Sequence, residues 1–169
     1  ITTNDAGVQS LDASDLEDSK NFMRVSPRLG IAFPVTDRTS MHLNYGKFYQ
    51  RPDLVRLYTG YDFFEYKVKN GGYFYPIGNP NLEPELTTQY EVGINHQLGE
   101  QTAIEVIAFY KDVSGLVQVT NQPSQPNSFS FYRNSDYGTD KGLEFNFTMR
   151  RTNNIEMTLK YTLSYATGT

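Results

Sequence analysis

Apolar and polar residues alternate along much of this chain. The plainest run is Ile155, Met157, Leu159, Tyr161, Leu163 and Tyr165, separated by Glu156, Thr158, Lys160, Thr162 and Ser164. A period of two puts the first set on one face of a strand and the second on the other. A helix would place Thr158 and Thr162 on the stripe of Ile155 and Leu159, so the helical reading fails. Leu143, Phe145, Phe147 and Met149 repeat the pattern, as do Tyr90, Val92 and Ile94, then Met41, Leu43 and Tyr45, then Leu29, Ile31 and Phe33. The stretch from Ile104 to Val117 is less regular: Ile104, Val106, Ala108 and Tyr110 share a face, while Ile107 and Phe109 intrude on the other. The pattern predicts strands near 26–34, 40–50, 85–97, 102–117, 138–150 and 154–166.

The connections between these strands alternate in length. Pro34–Thr39, Leu98–Gln101 and Arg151–Asn153 read as short turns, whereas 51–84 and 118–137 are long, and 1–25 reads as a further long connection cut short. A soluble sandwich has no reason to gather its long loops at one end. A barrel of the outer membrane does, because short turns face the periplasm and long loops face outside. Several expected strands exceed the usual five or six residues and approach the roughly nine to eleven that cross hydrocarbon at a tilt. Alternation alone cannot choose between the two, since a second sheet could cover the apolar face as well as lipid can.

No apolar run is long enough for a spanning helix, which leaves a strand barrel open. The chain opens on Ile1 with no charged leader and apolar segment, so a signal peptide is expected upstream. With a net charge of −4 and no basic face, nucleic acid is not an expected partner. Absence of cysteine removes disulfides, thiolate metal sites and cysteine nucleophiles. Tyr (13) and Phe (11) are plentiful, which suits surfaces half apolar and half wet, such as membrane interfaces and ligand-binding loops.

Five stretches in order resemble the barrel domain of TonB-dependent outer-membrane receptors, most of all the branch that carries a carboxypeptidase-regulatory-like domain. They are Ser26-Pro27-Arg28-Leu29-Gly30; Tyr45-Gly46-Lys47-Phe48-Tyr49-Gln50-Arg51-Pro52; Gly78-Asn79-Pro80-Asn81-Leu82-Glu83-Pro84-Glu85 with Tyr90-Glu91-Val92-Gly93; Phe109-Tyr110-Lys111-Asp112-Val113; and Asn134 through Gly142-Leu143-Glu144. The resemblance implies an all-β fold: an antiparallel up-and-down transmembrane β-barrel, with about six strands here of a roughly 22-stranded whole wide enough to need a plug. It implies active uptake of a scarce ligand (a siderophore, cobalamin, an oligosaccharide or a peptide). The partners it implies are outer-membrane lipid, the rest of the barrel and its plug, the TonB energy-coupling complex and the cargo or a glycan. The implied place is the outer membrane of a Gram-negative bacterium. The stretches include no plug, energy-coupling box or terminal aromatic strand.

Candidate chemistry concentrates in 51–84. Tyr58, Tyr61, Phe63, Phe64, Tyr66, Tyr73, Phe74 and Tyr75 crowd its middle, with Gly71-Gly72 as a turn between two arms. Loops beyond about 12–15 residues are functional or disordered, and disorder disfavours aromatics. These rings could stack on a sugar or on the catechols of a chelate, or pack on one another to stiffen the lobe. Asp12, Asp15, Glu17 and Asp18 form an acidic patch without the spacing of a calcium loop, so a solvated loop is the simpler reading. His42 and His96 are the two histidines, each inside a strand, and read as lumen or rim residues rather than a metal pair. Glu91, Glu144, Arg150, Glu156 and Lys160 fall on the polar face and suit hydrogen bonds and screened ion pairs. Asn146-Phe147-Thr148 matches a glycosylation acceptor but lies inside a strand. No nucleophile–base pair, phosphate loop or zinc spacing occurs, so neither an enzyme nor a cofactor is expected. Two other readings stay open: a surface or secreted β-sandwich that binds glycans, and a passive porin-like channel.

Overall fold

A computed structural model describes residues 2–3, 9–10, 18–123, 127–152 and 154–169. The strands are β1 (Thr2–Thr3), β2 (Gln9–Ser10), β3 (Arg28–Thr36), β4 (Thr39–Gln50), β5 (Gly72–Ile77), β6 (Glu85–Gln97), β7 (Thr102–Gln122), β8 (Phe129–Thr152) and β9 (Ile155–Gly168). Two helices, α1 (Leu54–Leu57) and α2 (Tyr61–Asn70), precede β5. The chain divides into two compact units. One holds Val25–Tyr49, Leu86–Ser114 and Tyr137–Thr169; the other holds Ile1–Arg24, Gln50–Glu85 and Gly115–Asp136.

The first unit is a single sheet in the order β3-β4-β6-β7-β8, with β9 on the far side of β8. Its printed registers are antiparallel and put like with like. Leu29 faces Tyr45 and Ile31 faces Leu43; Val92 faces Ala108 and Ile94 faces Val106; Leu143 faces Leu163 and Phe147 faces Leu159. Directly paired residues share a face, so one face is apolar from edge to edge. No second sheet covers it among the described residues, and Leu29, Leu159 and Leu163 keep more than half their surface exposed (59%, 52% and 58%). A sandwich would bury such a face, and this arrangement counts against that reading.

The short turns are tied by their neighbours. Arg38 N–H donates to Thr36 Oγ1 (3.3 Å), and Thr36 and Thr39 hydroxyls meet at 2.9 Å. The turn expected from Pro34 is shorter than its sequence suggests: β3 continues through Pro34 to Thr36, with a register shift between them. Proline is tolerated there because β3 is an edge strand and its missing N–H breaks no ladder.

The second unit departs most from expectation. The connection expected over 118–137 is largely strand, since β7 runs to Gln122 and β8 begins at Phe129. Its sequence is too polar to show an apolar face, but ladder bonds join main-chain groups and need none. The connection 51–84 holds α1, α2 and β5. Asp62 in the first turn of α2 and Lys67 and Lys69 in its last suit the helix dipole. Glu65 and Lys69 pair at 2.7 Å, four residues apart. Gly71, at φ 70°, ends the helix by donating to Lys67 O at 2.7 Å. β5 then pairs in parallel with the start of β8. A small core of Val68, Ile77 and Phe129 forms between α2, β5 and β8, flanked by Phe64 and Phe131.

Candidate functional site

The eight aromatic side chains of 51–84 separate into distinct places. Phe64, four residues from Val68 on α2, turns into the small core. The other seven are exposed, from 39% at Phe63 to 80% at Tyr75. Tyr58, Tyr61 and Phe64 come together around a hollow of about 300 Å³, closed by Leu57, Thr59, Ile77, Gly78 and Pro80. Gly78 is required there, because a Cβ would meet the Tyr58 carbonyl at 2.9 Å. Its N–H donates to Thr59 Oγ1 at 2.5 Å, which fixes the rim. Tyr73 and Phe74 meet edge to face at 6.1 Å. Phe63 lies 5.8 Å from the Lys67 ammonium. Tyr66 and Tyr75 line neither the hollow nor this pair. Packing of ring on ring is thus limited, and the lobe owes its order to other contacts.

Those contacts carry little sequence signal. Lys67 is 5% exposed, and its ammonium donates to Gly72 O at 3.3 Å and to Phe74 O. Ser130, fully buried, donates to Tyr73 O at 2.5 Å. The main chain that bears Tyr73, Phe74 and Tyr75 is therefore held from behind, and Tyr75 adopts φ 58°, uncommon for a non-glycine residue. Two stretches singled out in the sequence form a clasp at the base. Asn134 Oδ1 accepts from Glu83 N–H (2.8 Å), and its amide donates to Glu83 O (2.9 Å) and Gly115 O (2.6 Å). Asn79 Oδ1 accepts from Asn81 N–H (3.0 Å) and its amide donates to Tyr132 O (3.0 Å), while Leu82 is buried. Arg24 pairs with Glu83 at 2.8 Å. The asparagine–proline run thus fixes the return of the connection rather than offering groups to a ligand.

A second cluster lies on the polar face of the sheet. Glu91 accepts from Asn44 (2.9 Å) and Gln89 (3.3 Å), and His42 Nε2 stands 3.5 Å from it. The His42 ring lies over Gly93, where a Cβ would come within 2.1 Å of it. Phe109 likewise lies over Gly142, with the Lys111 ammonium 4.9 Å from its ring. This accounts for the intruding Phe109: it covers the bare backbone of a glycine. The alternation of Glu91 with Gly93 was visible in the sequence, but which side chain fills the space over Gly93 was not.

The remaining candidates are quickly placed. His42 and His96 sit on adjacent strands but opposite faces, since Glu91 and His96 are of opposite parity along β6. His96 bonds Thr39 at 2.8 Å near the short turns. Asn146 donates to Glu105 at 3.1 Å within the sheet. No three His, Asp or Glu residues gather to hold a metal among the described residues. Asp12, Asp15 and Glu17 lie outside the described residues.

The family model for TonB dependent receptor-like β-barrels matches residues 2–169. No curated protein matches the sequence well enough to count as a relative. Solved structures share the fold. The siderophore receptor PirA from Pseudomonas aeruginosa is 16% identical with a TM-score of 0.62 over 83% of this chain and 25% of that one. The ferric enterobactin receptor PfeA of the same species is 19% identical, TM-score 0.63, over 82% and 22%. The alcaligin receptor FauA from Bordetella pertussis is 16% identical, TM-score 0.56, over 85% and 22%. The chain spans a quarter or less of the length of these proteins. With the alternating sheet, its uncovered apolar face and a family match along the whole chain, this chain belongs to the TonB-dependent receptor-like β-barrels, proteins of the Gram-negative outer membrane.

Proposed function

We propose that this chain is part of the barrel of a TonB-dependent transporter that takes up a scarce ligand too large for porins: a siderophore, cobalamin, an oligosaccharide or a peptide. In this reading the apolar face meets lipid and the polar face meets the lumen and a plug. The connection 51–84 lies outside and helps capture cargo through its aromatic residues. One observation carries the reading. Seven aromatic side chains remain exposed on a lobe whose main chain is held by Lys67, Ser130, Asn79 and Asn134. Left free, such rings would bury one another. Held apart, they offer flat faces to a ring-bearing cargo. The hollow at Tyr58, Tyr61 and Phe64 is the most enclosed part of that surface.

The test is uptake by cells carrying the protein, against a panel of ferric siderophores, cobalamin and oligosaccharides. Energy-dependent uptake of one of them, lost with a protonophore, is expected. Tyr58→Ala with Tyr61→Ala should weaken binding of that ligand at least ten-fold while the barrel still assembles. Uptake indifferent to the protonophore would replace this reading with the passive channel.

A further inference from the structure

The apolar face of the sheet changes character at one level. Consider the direct pairs Ile31–Leu43, Val92–Ala108 and Leu143–Leu163, all apolar. One step along the same face, away from the short turns, stand Tyr45, Tyr90, Tyr110, Lys141 and Tyr165. Tyr45 and Tyr90 rings are 5.3 Å apart, Tyr90 pairs with Tyr110, and Lys141 pairs with Tyr165 with its ammonium 6.0 Å from that ring. Phe109 reaches over Gly142 on the opposite face, so Tyr110 and Lys141 are close to level. A further step brings Lys47, the pair Thr88–Asp112 and the pair Thr139–Thr167. The face thus passes from wholly apolar to wholly polar within four residues on β4, β6, β7, β8 and β9, with tyrosines between.

A second sheet would not require such a boundary, whereas a bilayer has one, where hydrocarbon ends and headgroups begin. We infer that Tyr45, Tyr90, Tyr110 and Tyr165 mark the outer headgroup level, and that Lys47 and Lys141 bind the phosphates of a phosphorylated glycolipid there. The occupant follows from the chemistry on that face. The lysines supply cations at phosphate depth. Asp112, the one carboxylate among these residues, lies between them in strand order and suits a sugar hydroxyl better than a bare phosphate. Tyrosine hydroxyls supply further donors, with each ring in the acyl region. The inference rests on the family's membrane placement and adds the depth and the lipid.

The experiment has two parts, both on the full-length protein. Spin labels at Leu43→Cys, Leu163→Cys, Lys47→Cys and Thr167→Cys, in phosphatidylcholine bilayers, report depth through collisions with oxygen and with a water-soluble nickel chelate. The first two should meet oxygen and the last two nickel. If all four met nickel, the membrane placement itself would fail; if all four met oxygen, only the boundary would. Lipid is read by native mass spectrometry after reconstitution with diphosphoryl lipid A and mild extraction. Each lysine near a charged surface contributes about a five-fold change in affinity. Lys47→Gln with Lys141→Gln should therefore cut retained lipid A roughly twenty-fold or more, while the double arginine variant retains it. Equal retention by the glutamine variant would overturn the lipid site.

Discussion

The two units of this chain keep order by different means. In the sheet, each strand borrows its neighbour's main chain, and side chains sort to two faces by parity alone. In the lobe of 51–84, the buried apolar cluster is small, Val68, Ile77 and Phe129 with two flanking phenylalanines, and polar side chains do much of the holding. Lys67, Asn79, Ser130 and Asn134 each reach main-chain groups far from their own neighbours. The sheet tolerates change at many polar positions because its pattern is repeated. The lobe has single contacts whose loss nothing duplicates. That contrast suits a rigid wall bearing a surface open to variation.

The comparison is broken most severely by attacking the sheet's apolar face. Leu159→Arg should cost about 2–4 kcal/mol and reduce assembly in native membranes, whereas Lys160→Gln, one residue away on the other face, should fold normally. Heat-modifiable migration of the extracted protein measures both, and equal folding of the two would show the faces to be wrongly assigned. Gly93→Ala tests the polar face. Its methyl must displace the His42 ring, at about 1–3 kcal/mol. His42→Ala in the same chain should restore most of the loss in a denaturant titration, since the obstructing atoms are all in that ring.

The lobe should respond more gently and more locally. Asn134→Ala removes three hydrogen bonds around Glu83 and Gly115 in a partly exposed setting, about 1 kcal/mol. Hydrogen exchange should quicken at Glu83 and its neighbours while the amides of β6 near Val92 stay protected; uniform quickening would mean that the two units open together. Lys69→Ala removes the exposed pair with Glu65 and should cost only about 0.3–0.5 kcal/mol. A larger loss of thermal stability would show that α2 depends on its surface charges rather than on Phe64 and Val68.

Six strands of the sheet were legible because a strand with two different environments writes its period directly into the sequence. Phe109 and Pro34 were not, and for a common reason. Each breaks a local rule that a neighbouring strand repairs: a glycine at 142 makes room for the ring, and an edge position excuses the proline. The outer ends of β7 and β8 were hidden because main-chain pairing leaves no mark on side-chain polarity. The aromatic cluster was visible as composition, but its division was not. That Phe64 enters a core while Tyr58 and Tyr61 form the wall of a hollow depends on α2, whose face is set by Val68 and by a phenylalanine more than sixty residues away, Phe129. Sequence by itself determined which side chains alternate and hence which face is apolar, since parity is a local property of an extended chain. Tertiary structure alone decided which glycine is covered, which lysine is buried and which rings stay exposed, because those depend on segments that meet only after the chain has folded.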